Sequence, residues 1–350
     1  MKKLSPLRLG FTFAGSFLGA GYVSGQEIWQ FFGRFGIGAL PGLALAMVLM
    51  GAVGVMTWEL ARGLDMTEMD RLVVEKNVPV LRIALSVVQA VMLFGFTVIM
   101  CAGGVALCVQ QWKLPAVPCA VVMAAAVALV SLAGIPGLVN LFSGLVPALC
   151  AVTVAAAVAA PLMSGGIPAA APAEPAFGGW PVSAVVFFAY NTFGVIGIIA
   201  PVGPMAADRK SIRRGVVIGC VILTAIALSV LVAMATVPAS VTAEMPMLAV
   251  ITHCFPWLAV PYAVLLLVVM FGAALGCLVA LMTFLEEKFT AVRTHRIPFT
   301  AGLMAAALLG SLVGFSDLIG LVYPVFGWCG IGFLALLTLH WLHRRRELSS

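Results

Sequence analysis

Between residues 114 and 173 the chain carries no Asp, Glu, Lys or Arg. A membrane-spanning helix needs about 20 apolar residues, so this stretch holds two spans and the turn between them. Soluble domains carry roughly 25% charged residues. Here the whole chain carries 9%, with 63% hydrophobic residues and a mean hydropathy of +1.16. That is too little charge to clothe a water-facing surface, so lipid is the expected solvent. Lipid in turn forces helices, because open backbone groups find no partner in it. No large soluble domain fits anywhere along the sequence.

Read in order, the apolar runs give ten spans: 7–32, 37–62, 80–112, 115–132 and 136–162, then, after a Gly-, Pro- and Ala-rich loop, 182–205, 212–237, 257–285, 298–313 and 317–342. The expected fold is an all-α integral membrane protein, one membrane domain over 1–350 with a short basic tail at 344–350. Basic residues test the map. With the N-terminus inside, Arg34 and Lys113 are the only external ones among 19 Lys and Arg. Arg62, Arg71, Lys76, Arg82, Arg209, Lys210, Lys288 and the Arg344–Arg346 run all fall inside, as the positive-inside rule demands. The expectation is a bacterial-type inner membrane with both termini cytoplasmic. The net charge of +6 is thereby spread over one membrane face, which removes nucleic acid as a partner. Lys2, Lys3 and Arg8 before an apolar run mimic a signal peptide. Gly19, Gly21, Gly25, Gln26 and Glu27 interrupt that run, so cleavage is not expected. The eight cysteines are scattered without a Cys-x-x-Cys pair and read as small buried hydrophobes.

The halves 7–162 and 182–343, joined by an external linker 163–181, share a layout. Each opens with a glycine-interrupted span, continues through a plain span and a basic loop, and closes with one long and two shorter spans. Gly134-Ile-Pro-Gly-Leu-Val-Asn-Leu141 is echoed by Gly314-Phe-Ser-Asp-Leu-Ile-Gly-Leu321. Five helices is an odd number, so the second copy enters the membrane inverted. A five-plus-five inverted repeat is a transporter architecture, with the substrate near the midplane.

The first span contains Gly15-Ser-Phe-Leu-Gly-Ala-Gly-Tyr-Val-Ser-Gly-Gln-Glu27, a poor continuous helix. Unwound backbone in a membrane is tolerated only against protein or a water-filled cavity, so a break near Gly19 to Gly25 predicts a cavity. Freed N–H groups there suit a carboxylate and freed carbonyls suit a cation. Close helix packing on small residues is the competing account. It covers Gly15, Gly19 and Gly21 but not Ser24, Gln26 or Glu27. The sixth span carries Tyr190, Asn191 and Thr192, then Gly194 and Gly197, then Pro201 and Pro204. This predicts the partner break, the alternative being a polar cluster bonded to neighbouring helices.

Glu27 is the sharpest single residue. It lies about seven residues beyond the break, roughly 10 Å along a helix, inside the hydrocarbon layer. A carboxylate there is costly and therefore functional or paired. It could accept a coupling proton or bind a cation or substrate amine; a pair with Arg34, or simple capping, is the structural alternative. Glu59 lies within helical reach of Arg62, and Asp317 is expected to start the tenth helix. His253, His340 and His343 have no metal-ligand partner at sensible spacing. No clustered acid, base, nucleophile or metal set appears, so an enzyme is not expected. Nor is there a Gly-x-x-x-x-Gly-Lys-Ser/Thr run for ATP. No cofactor is expected beyond a coupling ion, H⁺ or Na⁺.

The run Gly19-Ala-Gly-Tyr-Val-Ser-Gly-Gln-Glu27 followed by Phe31-Phe32 resembles the opening motif of the YkvI-like membrane proteins, and Tyr190-Asn191 with the basic loop beyond it fits as well. That family is placed in the amino acid–polyamine–organocation superfamily, whose members have the LeuT fold. The resemblance implies broken first and sixth helices and a substrate site between spans one, three, six and eight. Carried over by position, the site comprises Gly19, Ala20, Gly21 and Ser24 of span one and Tyr190, Asn191, Thr192 and Gly194 of span six. Sodium-coupled members usually place a Ser/Thr pair in span eight. Here Phe271-Gly-Ala-Ala-Leu-Gly-Cys277 offers none, which shifts weight modestly toward proton coupling through Glu27 and leaves uncoupled exchange open. The expected function is secondary active transport of a small solute, an amino acid or related zwitterion or amine, by alternating access. A sensor that keeps the fold without flux, and a channel, are the alternatives. Oligomeric state is not legible.

Overall fold

In a computed structural model of the chain, residues 3–64, 72–73, 78–133, 145–163 and 178–349 are described, with residues 146, 197, 198 and 345–349 described by backbone alone. The Gly134–Leu141 echo, Arg71 and Lys76 of the basic loop and most of the 163–181 linker lie outside these residues.

Among the described residues, six helices are apolar and long enough to cross a membrane by length and composition: Gly33–Gly63, Pro79–Trp112, Ala116–Ala133, Arg209–Thr236, Pro256–Lys288 and Phe315–Arg344. Pro147–Met163, Trp180–Ile196 and Arg296–Ser311 are shorter apolar helices. The first span is in pieces, Pro6–Phe17, Ala20–Val23 and Gln26–Phe31, none long enough to cross alone. Val87, Val91, Val122, Leu129, Leu309 and Leu321 are more than half exposed, as the lipid-facing wall of a membrane protein should be. The tenth helix continues through Ser349, so residues 344–349 of the basic tail extend it.

Contacts between the halves are reciprocal. The first helix packs on the seventh span and the sixth on the second; the fifth packs on the seventh and the tenth on the second; the third and eighth lie along each other. Each element touches the counterpart of the element that touches its own counterpart, as an inverted repeat requires. Glycines set the closest crossings. A Cβ at Gly215 would stand 3.5 Å from the Gly10 nitrogen, and one at Gly219 3.0 Å from the Gly10 carbonyl oxygen. Gly327 and Gly330 of span ten approach the carbonyls of Val186 and Ala189 of span six at 2.7 and 3.0 Å in the same sense. These are the small-residue contacts that let membrane helices meet backbone to backbone.

The first span breaks twice, within the window the sequence indicates. Leu18 (φ −78°, ψ 84°) and Gly19 (φ −93°, ψ 173°) leave the helix at the first break, and Gly25 (φ 85°) makes the second. The freed groups of the second break find partners, as buried backbone must. Tyr262 donates to the Val23 carbonyl (3.1 Å), the Met247 amide donates to the Ser24 carbonyl (2.8 Å), and Ser24 Oγ donates to the Gly21 carbonyl (3.0 Å). Met247 belongs to a short helix, Pro246–Cys254, largely buried in what the sequence reads as an external loop.

The sixth span corrects the expectation. It is continuous α-helix over Trp180–Ile199, through Tyr190, Asn191, Thr192 and Gly194, and loosens only into a 3₁₀ turn, Ala200–Met205. Glycine inside a helix costs only about 1 kcal/mol, which packing overrides. Pro201 and Pro204 lack the amide hydrogen, and they end the α pattern. The Ile199 carbonyl left at this junction accepts from Trp58 Nε1 at 2.7 Å.

Candidate functional site

A cavity of about 1090 Å³ opens at the first break. Span one lines it with Phe11, Thr12, Gly15, Ser16, Gly19 and Ala20, span three with Gln89, Met92 and Phe96, and span six with Phe193 and Gly194. Span eight contributes Gly272, Ala273, Gly276 and Cys277, and spans five and seven close the sides with Cys150 and Ile226. Gly15 and Gly19 are not packing residues. A Cβ on either would meet nothing within 4 Å, so their bare backbone faces open space. The cavity occupies the half of the molecule nearer Ser5, Pro79 and Lys288, where spans one and three begin and span eight ends.

The opposite half is laced shut. Gln26 and Gln30 both donate to Ser316 Oγ at the start of span ten, the latter at 3.2 Å, and the Ser316 amide donates to Glu244 (2.8 Å). Gln110 of span three exchanges two hydrogen bonds with the Met245 backbone (2.9 and 3.1 Å), and Ser183 of span six donates to the Phe31 carbonyl (2.7 Å). Between this lacing and the cavity lies a cluster of rings. Tyr190 stacks on Tyr323 at 4.4 Å between centroids, Phe31 and Phe187 flank Tyr190, and Phe96 meets Tyr323 edge-on at 5.8 Å.

Glu27 sits inside the cluster, 5% exposed, and accepts a hydrogen bond from the Tyr190 hydroxyl at 2.7 Å. The Tyr323 hydroxyl is turned to the same carboxylate. The Arg34 pair that the sequence leaves open is not formed. A Cβ at Gly21 would collide with the Glu27 carboxyl, so that glycine is the space the acid occupies.

Of the eight positions implied by the resemblance, Gly19, Ala20 and Gly194 reach the cavity. Gly21 backs onto Glu27. Ser24 is buried, its hydroxyl turned to Gly21, and Tyr190 serves Glu27. Asn191 donates to the Phe187 carbonyl of its own helix (3.3 Å), and Thr192 is fully buried with no partner for its hydroxyl among the described residues. Sequence reasoning misses Gln89, Phe96 and Phe193. A lone Gln or Phe in an apolar run carries no signal until the fold turns it inward.

On the cavity side, Glu59 pairs with Arg209 (3.4 Å) and Arg213 (3.5 Å) of span seven and accepts from Trp341 Nε1 of span ten (3.0 Å). Arg62 donates instead to the Ala207 carbonyl (3.1 Å). The Leu4 amide donates to the Met205 carbonyl (2.9 Å), tying the start of span one to the end of span six. No group of three or more His, Cys, Asp or Glu that could hold a metal ion occurs among the described residues.

No family model matches the sequence. The chain is 24% identical to the uncharacterized membrane protein YkvI of Bacillus subtilis (strain 168), over 99% of each chain. It is 25% identical to YyaD of the same organism, over 93% of this chain and 94% of that one. Among solved structures it resembles inward-facing Mhp1 with a TM-score of 0.64 at 14% identity, covering 99% of this chain and 78% of that one. A Na⁺-coupled sialic acid symporter in its outward-open state matches at 0.55 and 14% identity, covering 96% and 78%. With its helical composition and apolar spans, the chain is a multi-pass membrane protein with the LeuT-type fold of such transporters.

Proposed function

We propose that this protein is a secondary transporter that carries a small organic solute by alternating access, and that the conformation described is the inward-open one. The observation that carries the reading is the asymmetry about the first-span break: a large cavity on one side of it, and ring packing and hydrogen bonds on the other. The cavity side bears Arg8, Arg82, Lys288 and Arg296, so the positive-inside rule supports its facing the cytoplasm, with both termini there. Mhp1 and the sialic acid symporter, which share the fold, are described as a nucleobase–cation symport transporter and a Na⁺-coupled symporter.

In this reading Glu27 is the proton site. Its carboxyl holds span one to span six through Tyr190 and reaches span ten through Tyr323, so its protonation state bears directly on how these helices pack. The amino acid or zwitterion expected from the resemblance would have to rely on backbone groups of the break, because among the described residues no charged side chain lines the cavity.

Flux decides between a carrier and a sensor. Reconstituted in proteoliposomes, the protein should exchange a radiolabelled ligand across the bilayer and saturate with concentration. Binding without exchange would leave only the sensor. In a background cleared of native cysteines, Gly15→Cys should react with an impermeant maleimide from the cytoplasmic face alone. Labelling from the outer face alone would reverse the orientation.

A further inference from the structure

We infer that the cavity takes an uncharged, flat solute with an amide-like edge, rather than a zwitterion or a metal cation; this rests on the transporter reading. Among the described residues no Asp, Glu, Lys, Arg or His lines it. An ion entering such a lining gives up water without gaining a counter-charge, the most expensive exchange a binding site can ask for. Glu27 does not supply one, because it is held by Tyr190 and backs onto Gly21, which does not line the cavity.

The shape points to a planar ring. Gly15 and Gly19 present backbone with open space where a side chain would stand, and span eight adds Gly272 and Gly276. The lining therefore includes low, side-chain-free walls. Phe96 and Phe193 supply aromatic surface, and the Phe96 ring lies in van der Waals contact with the Gly194 position of span six, where a Cβ would stand 3.4 Å from it. A flat solute can slide between such walls and stack or meet edges with the rings.

Gln89 supplies the polar contact. It lines the cavity, and its amide has no protein partner among the described residues. The hydroxyls of Thr12 and Ser16 are already donated to the carbonyls of Arg8 and Thr12 in their own helix. A carboxamide sets donors beside an acceptor, which matches an amide, lactam or imide edge and leaves an ammonium or carboxylate without neutralisation.

Thermal unfolding of the purified full-length protein, titrated with matched probes, tests this directly. Phenylacetamide and indole-3-acetamide keep the rings of phenylalanine and tryptophan but carry no charge. A ligand of the folded state raises the midpoint, so the two amides should do so at lower concentrations than the two amino acids. Gln89→Leu, and Gln89→Met as a variant of matched length, should weaken the amides about tenfold, the worth of one hydrogen bond, with the unliganded midpoint unchanged. Gly15→Leu, built into open space, should abolish binding. Equal or tighter binding of the amino acids, no midpoint shift with either amide, or full affinity in both Gln89 variants overturns the solute class. If the amino acids bind and Gly15→Leu blocks them, the transporter reading stands and only the uncharged-solute inference falls. If ligand binding and flux both ignore Gly15→Leu, the cavity is not the site: the solute inference falls together with the reading of this cavity as the open substrate site, while the flux itself still marks a carrier.

Discussion

The Tyr190 hydroxyl and the Glu27 carboxylate meet at 2.7 Å with 163 residues between them in the chain. A hydrogen bond to a charged group contributes about 1.5–3 kcal/mol. Tyr190→Phe keeps the ring stacked on Tyr323 and removes only that bond. It should lower the thermal midpoint by an amount corresponding to that range, and an unchanged midpoint would show that the bond contributes nothing. Glu27→Gln keeps the shape and removes the proton site. In proteoliposomes with an imposed pH gradient, the variant should lose the gradient-driven part of uptake and keep exchange at equal pH. Undiminished gradient-driven uptake would rule Glu27 out as the coupling residue. The cost of burying Glu27 was legible from its place in an apolar run. Its partner was not, because Tyr190 belongs to the other half of the chain. Glu59 teaches the same: Arg62 is near in sequence, yet Arg209 and Arg213 take the carboxylate.

At the scale of elements, the glycines of span one separate into three kinds of work. Gly10 permits the crossing with span seven, Gly15 and Gly19 face open space, and Gly25 holds a left-handed turn at φ 85° with Met234 and Val230 within 3.1–3.2 Å of its would-be Cβ. Gly25→Ala should destabilise by about 1–2 kcal/mol from backbone strain alone, and more from the crowding. Gly15→Ala, inside a helix and facing space, should stabilise by up to about 1 kcal/mol. Thermal midpoints of the two variants moving in opposite directions would confirm the division; equal shifts would refute it. Sequence treats these glycines alike, since each weakens a helix by the same amount. In span six that local weakening misleads, because packing of a buried helix against spans two and ten outweighs two glycines. The proline pair marks the true end, since a missing amide hydrogen is a deficit that packing cannot restore.

For the whole molecule, alternating access requires the laced side to open when the cavity side shuts. Gln30 and Ser316 mark that lacing, 3.2 Å apart at their polar atoms. In a background cleared of native cysteines, Gln30→Cys with Ser316→Cys, bridged by a short reducible thiol crosslinker, should stop flux, and reduction should restore it. The bridged protein should still admit maleimide to Gly15→Cys from the cavity side. Flux that survives the bridge would mean this face never opens.

The solvent, the helical class, the ten-span layout and the interruption of the first span were determined by the sequence alone. Each depends on the transfer free energy or backbone preference of a continuous segment, and a segment carries that information wherever it is placed. The partner of Glu27, the division of labour among the glycines, the point where span six loosens and the lining of the cavity were decided only in the tertiary structure. They arise where residues from opposite halves come within a few ångströms of each other, and the energies of such contacts have no counterpart in any single stretch of chain.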